Sequence, residues 1–269
     1  MGAQARLLPG RLTTRREHVW GTVVSLEVRD ADAAEHAVDA AWDSVREELH
    51  RIDRVFSTFR DDSTVSRLRR GGSHVVPDDV SEVIDRCLEA RMLTEGAFDP
   101  WAAPGGFDPS GLVKGWAADR CAAIVRHHGL RSFAVDAAGD LACRGPAGDG
   151  GGGWPIGVAH PDDPMAVVAV VDVLDASIAT SGTSQRGEHV VDPRTGAPSR
   201  GARQATVVGP DGALADALAT ALMVEGVDGA RWFSALPGWS AYVVDAGRAT
   251  AWGPAFVGAT RPPEGAKER

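Results

Sequence analysis

The chain has 269 residues, 43% of them hydrophobic and 24% charged, with a formal net charge of −9. That is the profile of a soluble globular protein able to bury a sizeable core, and the acid surplus excludes broad attraction to nucleic acid or an anionic membrane. Any phosphate must therefore be held locally, by a cation or by backbone N–H groups.

Taken in chain order, residues 1–17 read as a basic N-terminal arm without an apolar signal-peptide core. HVWGTVVSLEVRD (18–30) has the β-branched content of a strand. Ala34, Val38, Ala41, Val45, Leu49, Ile52 and Val55 recur at helical steps, and FSTFRDDSTVSRL (56–68) interrupts them. Residues 78–96 form a second helix, with Gly96 expected at its C′ position. A Gly/Pro-rich loop (97–115) leads into a helix over 116–129 that Gly129 closes. FAVDAAGDLACRG (133–145) reads as a hairpin, and PAGDGGGG (146–153) as a low-complexity turn. Strands follow at 154–159, 166–174, 176–181 and 202–209, helices at 212–225 and 227–236, and a closing hairpin. The longest apolar run, Met165–Val171, is far too short for stable membrane insertion. Strands and helices mix without βαβ alternation, so the expected fold is α+β, with one domain over 18–258 and a tail over 259–269.

Four stretches could carry chemistry. ALADALATALMV (213–224) is apolar on all sides and so a buried helix, yet Asp216 and Thr220 interrupt it one turn apart on a single face. Either Asp216 caps or pairs with an arginine while Thr220 bonds its own helix, or the two face a hard cation such as Mg²⁺. DPSGLVKGWAAD (108–119) sets Lys114 between Gly111 and Gly115 at a helix start, which suits phosphate or a plain loop-to-helix joint. DAAGD (136–140) is either a strand end that something packs against or a tight turn needing Gly139. In SIATSGTSQRGEHVVDPRTGAP (177–198), His189 stands just ahead of a turn that Pro193 and Gly196 define, where a general base could be held. Cys87, Cys121 and Cys143 are too few and too scattered for a disulfide framework or a zinc site, which favours a reducing compartment.

Several of these pieces, in this order, resemble the ApbE-type FAD:protein FMN transferases. WGT (20–22), IDRVFSTFRDDSTVSRL (52–68), TEGAFDP (94–100), DPSGLVKGWAAD, DAAGDL (136–141), HVVDPRTGAP (189–198) and LADALATALMVEG (214–226) carry the resemblance, over roughly residues 18–258. It implies an α+β flavin-transferase fold and a Mg²⁺-dependent reaction. In that reaction FAD is the substrate, FMN passes to a Thr or Ser hydroxyl of a target protein such as an FMN-binding domain, and AMP is released. FAD pyrophosphatase activity and non-catalytic flavin binding are the alternatives. The resemblance places the metal at Asp216, Thr220 and the backbone of Gly111. FAD falls at Trp20, Phe59, Ala97, Phe98, Asp99, Asp108, Lys114 and Val191, and catalysis at His189 and Asp216. Phe59 stands where the family has a tyrosine and Arg69 where it often has an asparagine, DAAG replaces NAGG, and the stretch between FDP and DPSG is short. With no lipobox in view, the expected location is the cytoplasm.

Overall fold

The computed structural model describes residues 12–72, 75–148, 150–163, 165–183, 190–245 and 248–256. It opens with β1 (Thr13–Val19) and β2 (Thr22–Val28), antiparallel and joined at Val19 and Thr22. The two residues between them, Trp20 (φ 58°) and Gly21 (φ 70°), are both left-handed, as a tight hairpin turn requires. The sequence-based reading differs here twice: residues 18–30 are not one strand, and Thr13–Glu17 are not part of a loose arm. Charge concealed the edge strand. Arg15 pairs with Asp39 at 2.7 Å and Glu17 with Arg46 at 2.9 Å, both on α1 (Glu35–Phe56). A charged edge is how a sheet avoids pairing with other chains.

After α1 come α2 (Thr64–Arg69), α3 (Asp78–Leu93) and α4 (Ser110–His127). The end of α3 corrects a detail. Glu95 (φ 52°) holds the left-handed C′ position and Gly96 (φ 82°) follows it, with Glu95 N–H donating to Met92 O and Gly96 N–H to Arg91 O. Those two bonds make a Schellman cap one residue earlier than the glycine suggests. Helix α4 also starts six residues before its expected position, at Ser110, even though Gly111 and Gly115 lower the local helix propensity; its tertiary packing explains both glycines.

The strands are β3 (Phe133–Ala137), β4 (Asp140–Arg144), β5 (Trp154–Ala159), β6 (Val167–Val173), β7 (Ala176–Gly182), β8 (Gln204–Gly209), β9 (Ser240–Asp245) and β10 (Arg248–Trp252). Eight of them form one antiparallel sheet in the order β1-β2-β3-β4-β7-β8-β9-β10, while β5 and β6 pair separately. Helix α5 (Gly212–Glu225) runs as expected. The helix expected over 227–236 is instead a 3₁₀ turn, Gly226–Gly229, followed by the short α6 (Ala230–Phe233). The architecture is α+β.

Alternation along the central strands builds a core on each face of the sheet. Val207 and Val243 meet α5 through Leu218 and Leu222, whereas Val208, Tyr242 and Val244 meet Trp154, Val171 and Val173 of the β5–β6 hairpin. A further core joins Leu26 and Val135 to Val45 and Leu49 of α1 and to Cys121 and Val125 of α4. Buried on both faces, β8 carries no exposed residue at all. Among the described residues no helix is long and apolar enough to cross a membrane.

Candidate functional site

The site is built where α4 crosses α5, and two glycines make the crossing possible. A Cβ on Gly115 would lie 1.9 Å from Gly212 O, and one on Gly212 would lie 2.5 Å from Gly115 O. The helices thus touch backbone to backbone. Asp119 locks the contact by accepting from Gly212 N–H at 2.5 Å, from the Ser177 hydroxyl at 2.6 Å and from the Arg144 guanidinium at 2.6 Å. Asp211 caps α5 by accepting from Leu214 N–H.

This approach buries Asp216, which is 1% exposed, directly against the second turn of α4. The partner of Asp216 is a lysine, not the arginine considered from the sequence. Lys114 Nζ donates to Asp216 Oδ1 at 3.1 Å and Oδ2 at 3.0 Å, and also contacts Asp140 Oδ2; Gly115 N–H approaches Asp216 Oδ2 at 3.4 Å. All three ammonium protons face carboxylates, so a phosphate reached by Lys114 would replace one of these bonds. Burial alone would lower the Lys114 ammonium, but the charges of Asp140 and Asp216 outweigh it and hold the group above its ordinary value. Asp140 is displaced upward, first by burial and then by the charge of Asp216, with Lys114 opposing.

Thr220 lies one turn along α5 from Asp216, and its hydroxyl shares a 3.2 Å hydrogen bond with Ser181 of β7. Gly111 has non-helical torsions (φ −85°, ψ 15°) inside the first turn of α4. A Cβ there would meet Thr220 Oγ1 at 3.2 Å and Phe98 Cε2 at 3.3 Å. Three positions singled out from the sequence, Gly111, Thr220 and Phe98, therefore meet in space. One carboxylate, one hydroxyl and nearby backbone form an oxygen donor set that fits a hard cation, which keeps waters or phosphate oxygens in the rest of its shell. Among the described residues no group of three or more His, Cys, Asp and Glu converges to hold a metal.

The other predicted contacts are spread around this centre. Ala97 and Phe98 are buried in the core beneath it. Asp99 accepts from Trp101 N–H and from Arg91, and Asp108 accepts from Ser110 N–H at the start of α4, so both carboxylates already shape the loop. Trp20 packs on two of the cores, and its buried indole N–H finds no acceptor among the described residues. Phe59 is 94% exposed and Val191 38% exposed. The turn after Val191 forms as expected, with Gly196 N–H donating to Asp192 O at 2.8 Å. His189 lies outside the described residues.

Sequence reasoning missed Asp140 and Asp119 as site members. Asp140 was visible only as the second aspartate of DAAGD. That segment is indeed a tight turn, with Ala138 and Gly139 both left-handed and Gly139 N–H donating to Asp136. Its second function, holding Lys114, needs the sheet in place. The short loop before α4 is braced by Arg69, which donates to Pro104 O and to Gly105 O, the latter at 3.1 Å.

The chain is similar to several known proteins. A family model described as "ApbE family" matches residues 20–105 and 104–243. A protein named FAD:protein FMN transferase from Escherichia coli (strain K12) is 34% identical over 147 residues, 51% of this chain and 42% of that protein. Its namesake from Vibrio cholerae serotype O1 is 26% identical over 238 residues, 66% of this chain and 71% of that protein. The match to the E. coli relative therefore spans less than half of that relative's length. Among solved structures, the flavin transferase ApbE from Vibrio cholerae superposes with a TM-score of 0.78 at 20% identity, covering 91% of this chain and 97% of that one. The apbe protein from Thermotoga maritima gives 0.79 at 23% identity, covering 93% and 100%. At these identities the superpositions establish the fold.

Proposed function

Because this chain belongs to the ApbE family, we propose that it transfers FMN from FAD to a Thr or Ser hydroxyl of a target protein in a Mg²⁺-dependent reaction that releases AMP. The observation that carries the reading is the buried face of α5, where Asp216 and Thr220 stand against Gly111 and Lys114 of α4. The name borne by the E. coli and V. cholerae relatives, FAD:protein FMN transferase, supports the transfer of FMN from FAD to a protein.

In the transfer step the acceptor oxygen attacks the phosphorus of the FMN half. The new O–P bond forms, the pyrophosphate P–O bond breaks, AMP leaves with the bridging oxygen, and the hydroxyl proton passes to His189. Little else is covalent, so the protein mainly positions groups and offsets charge. Asp216, Thr220 and the Gly111 backbone would hold Mg²⁺, which supplies neutralisation of pyrophosphate charge when bound. Lys114, one quarter exposed, adds a fixed positive charge beside them. Trp20, Phe59, Ala97, Phe98, Asp99, Asp108 and Val191 form the proposed FAD wall, and the exposed Phe59 ring offers a face for a flat ligand to cover. The thiols of Cys87, Cys121 and Cys143 are free and buried, which suits the cytoplasm.

The test is to incubate the protein with FAD, Mg²⁺ and an FMN-binding domain and to read flavin fluorescence in a denaturing gel. A fluorescent target band that EDTA abolishes is the expected result. AMP release without labelling would replace transfer by FAD hydrolysis, and neither product would refute the reading.

A further inference from the structure

The geometry points to Asp140 as a positioning residue that sets cation affinity at Asp216 by sharing the Lys114 ammonium; this rests on the cation reading above. Two buried carboxylates face a single ammonium. Asp140 and Asp216 side chains are each 2% exposed, and Lys114 Nζ reaches both. If Asp140 were absent, Lys114 would belong to Asp216 alone, already in contact with both of its oxygens at 3.0–3.1 Å. The pair would then be neutral, and a hard cation would have to displace an ammonium from its only carboxylate. With Asp140 present the cluster carries one net negative charge in a buried place, a costly arrangement that a cation relieves.

Asp140 is well placed to keep the lysine when Asp216 turns to a cation. It opens β4 directly after the Ala138–Gly139 turn, in a strand paired on both sides, and Oδ1 also accepts from Thr180 N–H of β7 at 3.3 Å. Its position is thus fixed by the sheet, and Lys114 Nζ already touches it while bonded to Asp216, so the ammonium can stay with Asp140 when Asp216 turns away. Partners one step removed from a metal ligand commonly change affinity by about 10–100-fold.

The experiment measures Mn²⁺ binding by calorimetry on the FAD-free protein, so that turnover plays no part. Asp140→Asn should weaken Mn²⁺ by about 10-fold or more. Lys114→Met, which leaves both carboxylates unpaired, should tighten it. The double variant Asp140→Asn/Lys114→Met restores the net charge of the native cluster, and its affinity should return to within about 3-fold of the native protein, within the usual context dependence of such outer-shell effects. A purely architectural role for Asp140 would leave the double variant as weak as Asp140→Asn, and that outcome overturns the inference. Unchanged affinity in a folded Asp140→Asn, checked by thermal melting, does the same. If the native protein binds no Mn²⁺, the cation reading itself fails and takes this inference with it. Native binding with an unaffected Asp140→Asn removes only the inference.

Discussion

Replacing Gly115 by alanine tests the α4–α5 crossing, because two opposed effects predict opposite signs. In an exposed helix interior the change would stabilise by about 1 kcal/mol through helix propensity. Here the new Cβ falls 1.9 Å from Gly212 O, 2.5 Å from its carbonyl carbon and 3.1 Å from Asp216 Cβ. Two of these three neighbours are backbone atoms, so no rotamer change relieves the clash. Restoring ordinary contact requires the helices to part by about 1.5 Å. Overpacking of this kind costs about 1–3 kcal/mol or more, so it outweighs the propensity gain. The same displacement would break the bonds at 3.0–3.1 Å between Lys114 and Asp216. Urea denaturation should show Gly115→Ala destabilised by about 2 kcal/mol, and Mn²⁺ binding by the folded fraction should be lost. Gly111→Ala is the internal control. Its Cβ meets only side-chain atoms at 3.2–3.5 Å, and stability should change by less than about 1 kcal/mol. A Gly115→Ala protein as stable as the native one would refute the close crossing on which the site depends.

Four further outcomes are expected. Asp216→Asn should abolish Mg²⁺-dependent transfer while circular dichroism stays native, and Thr220→Val should cost less, because a neutral hydroxyl is the weaker ligand. His189→Ala should cut the single-turnover rate by about two to four orders of magnitude with little change in the Kd for FAD; a parallel loss of affinity would make it a flavin-orienting group instead. Phe59→Ala, at a 94% exposed position, should raise the Kd for FAD in fluorescence titration without moving the melting temperature. Glu225 bridges Arg231 and Arg194, the latter at 2.5 Å, and these guanidinium groups, Arg231 first, hold its carboxyl below the ordinary range against the effect of burial. A depressed native value adds stability above the unfolded pKa, about 4.3, and loses it as pH falls through the native value. Glu225→Gln should therefore be less stable at pH 7 and show a flatter acid limb in denaturation measured from pH 7 to pH 3.

Local pattern carried much of the architecture. The heptad-like spacing from Ala34 to Val55, the all-apolar face of 213–224 and the small-residue turn in FAVDAAGDLACRG each describe an element whose burial or turn chemistry is decided within its own residues, and α1, α5 and the β3–β4 hairpin follow from them. The same helical period placed Asp216 and Thr220 on one face. Elements whose stability comes from elsewhere were not visible in this way. The β1 edge is held by ion pairs to α1, and the first turns of α4 contain glycines that lower local propensity and make sense only against Gly212. Likewise, the sequence separates Lys114, Asp140 and Asp216 by 26 and by 102 positions for the two lysine pairs. Nothing in local spacing links an ammonium on a helix to a carboxylate at a strand start and another inside a buried helix. Their meeting is decided by a sheet that fixes Asp140 and by two helices that touch without side chains between them, since charge pairing in a protein interior depends on distance in space, to which spacing along the chain is blind.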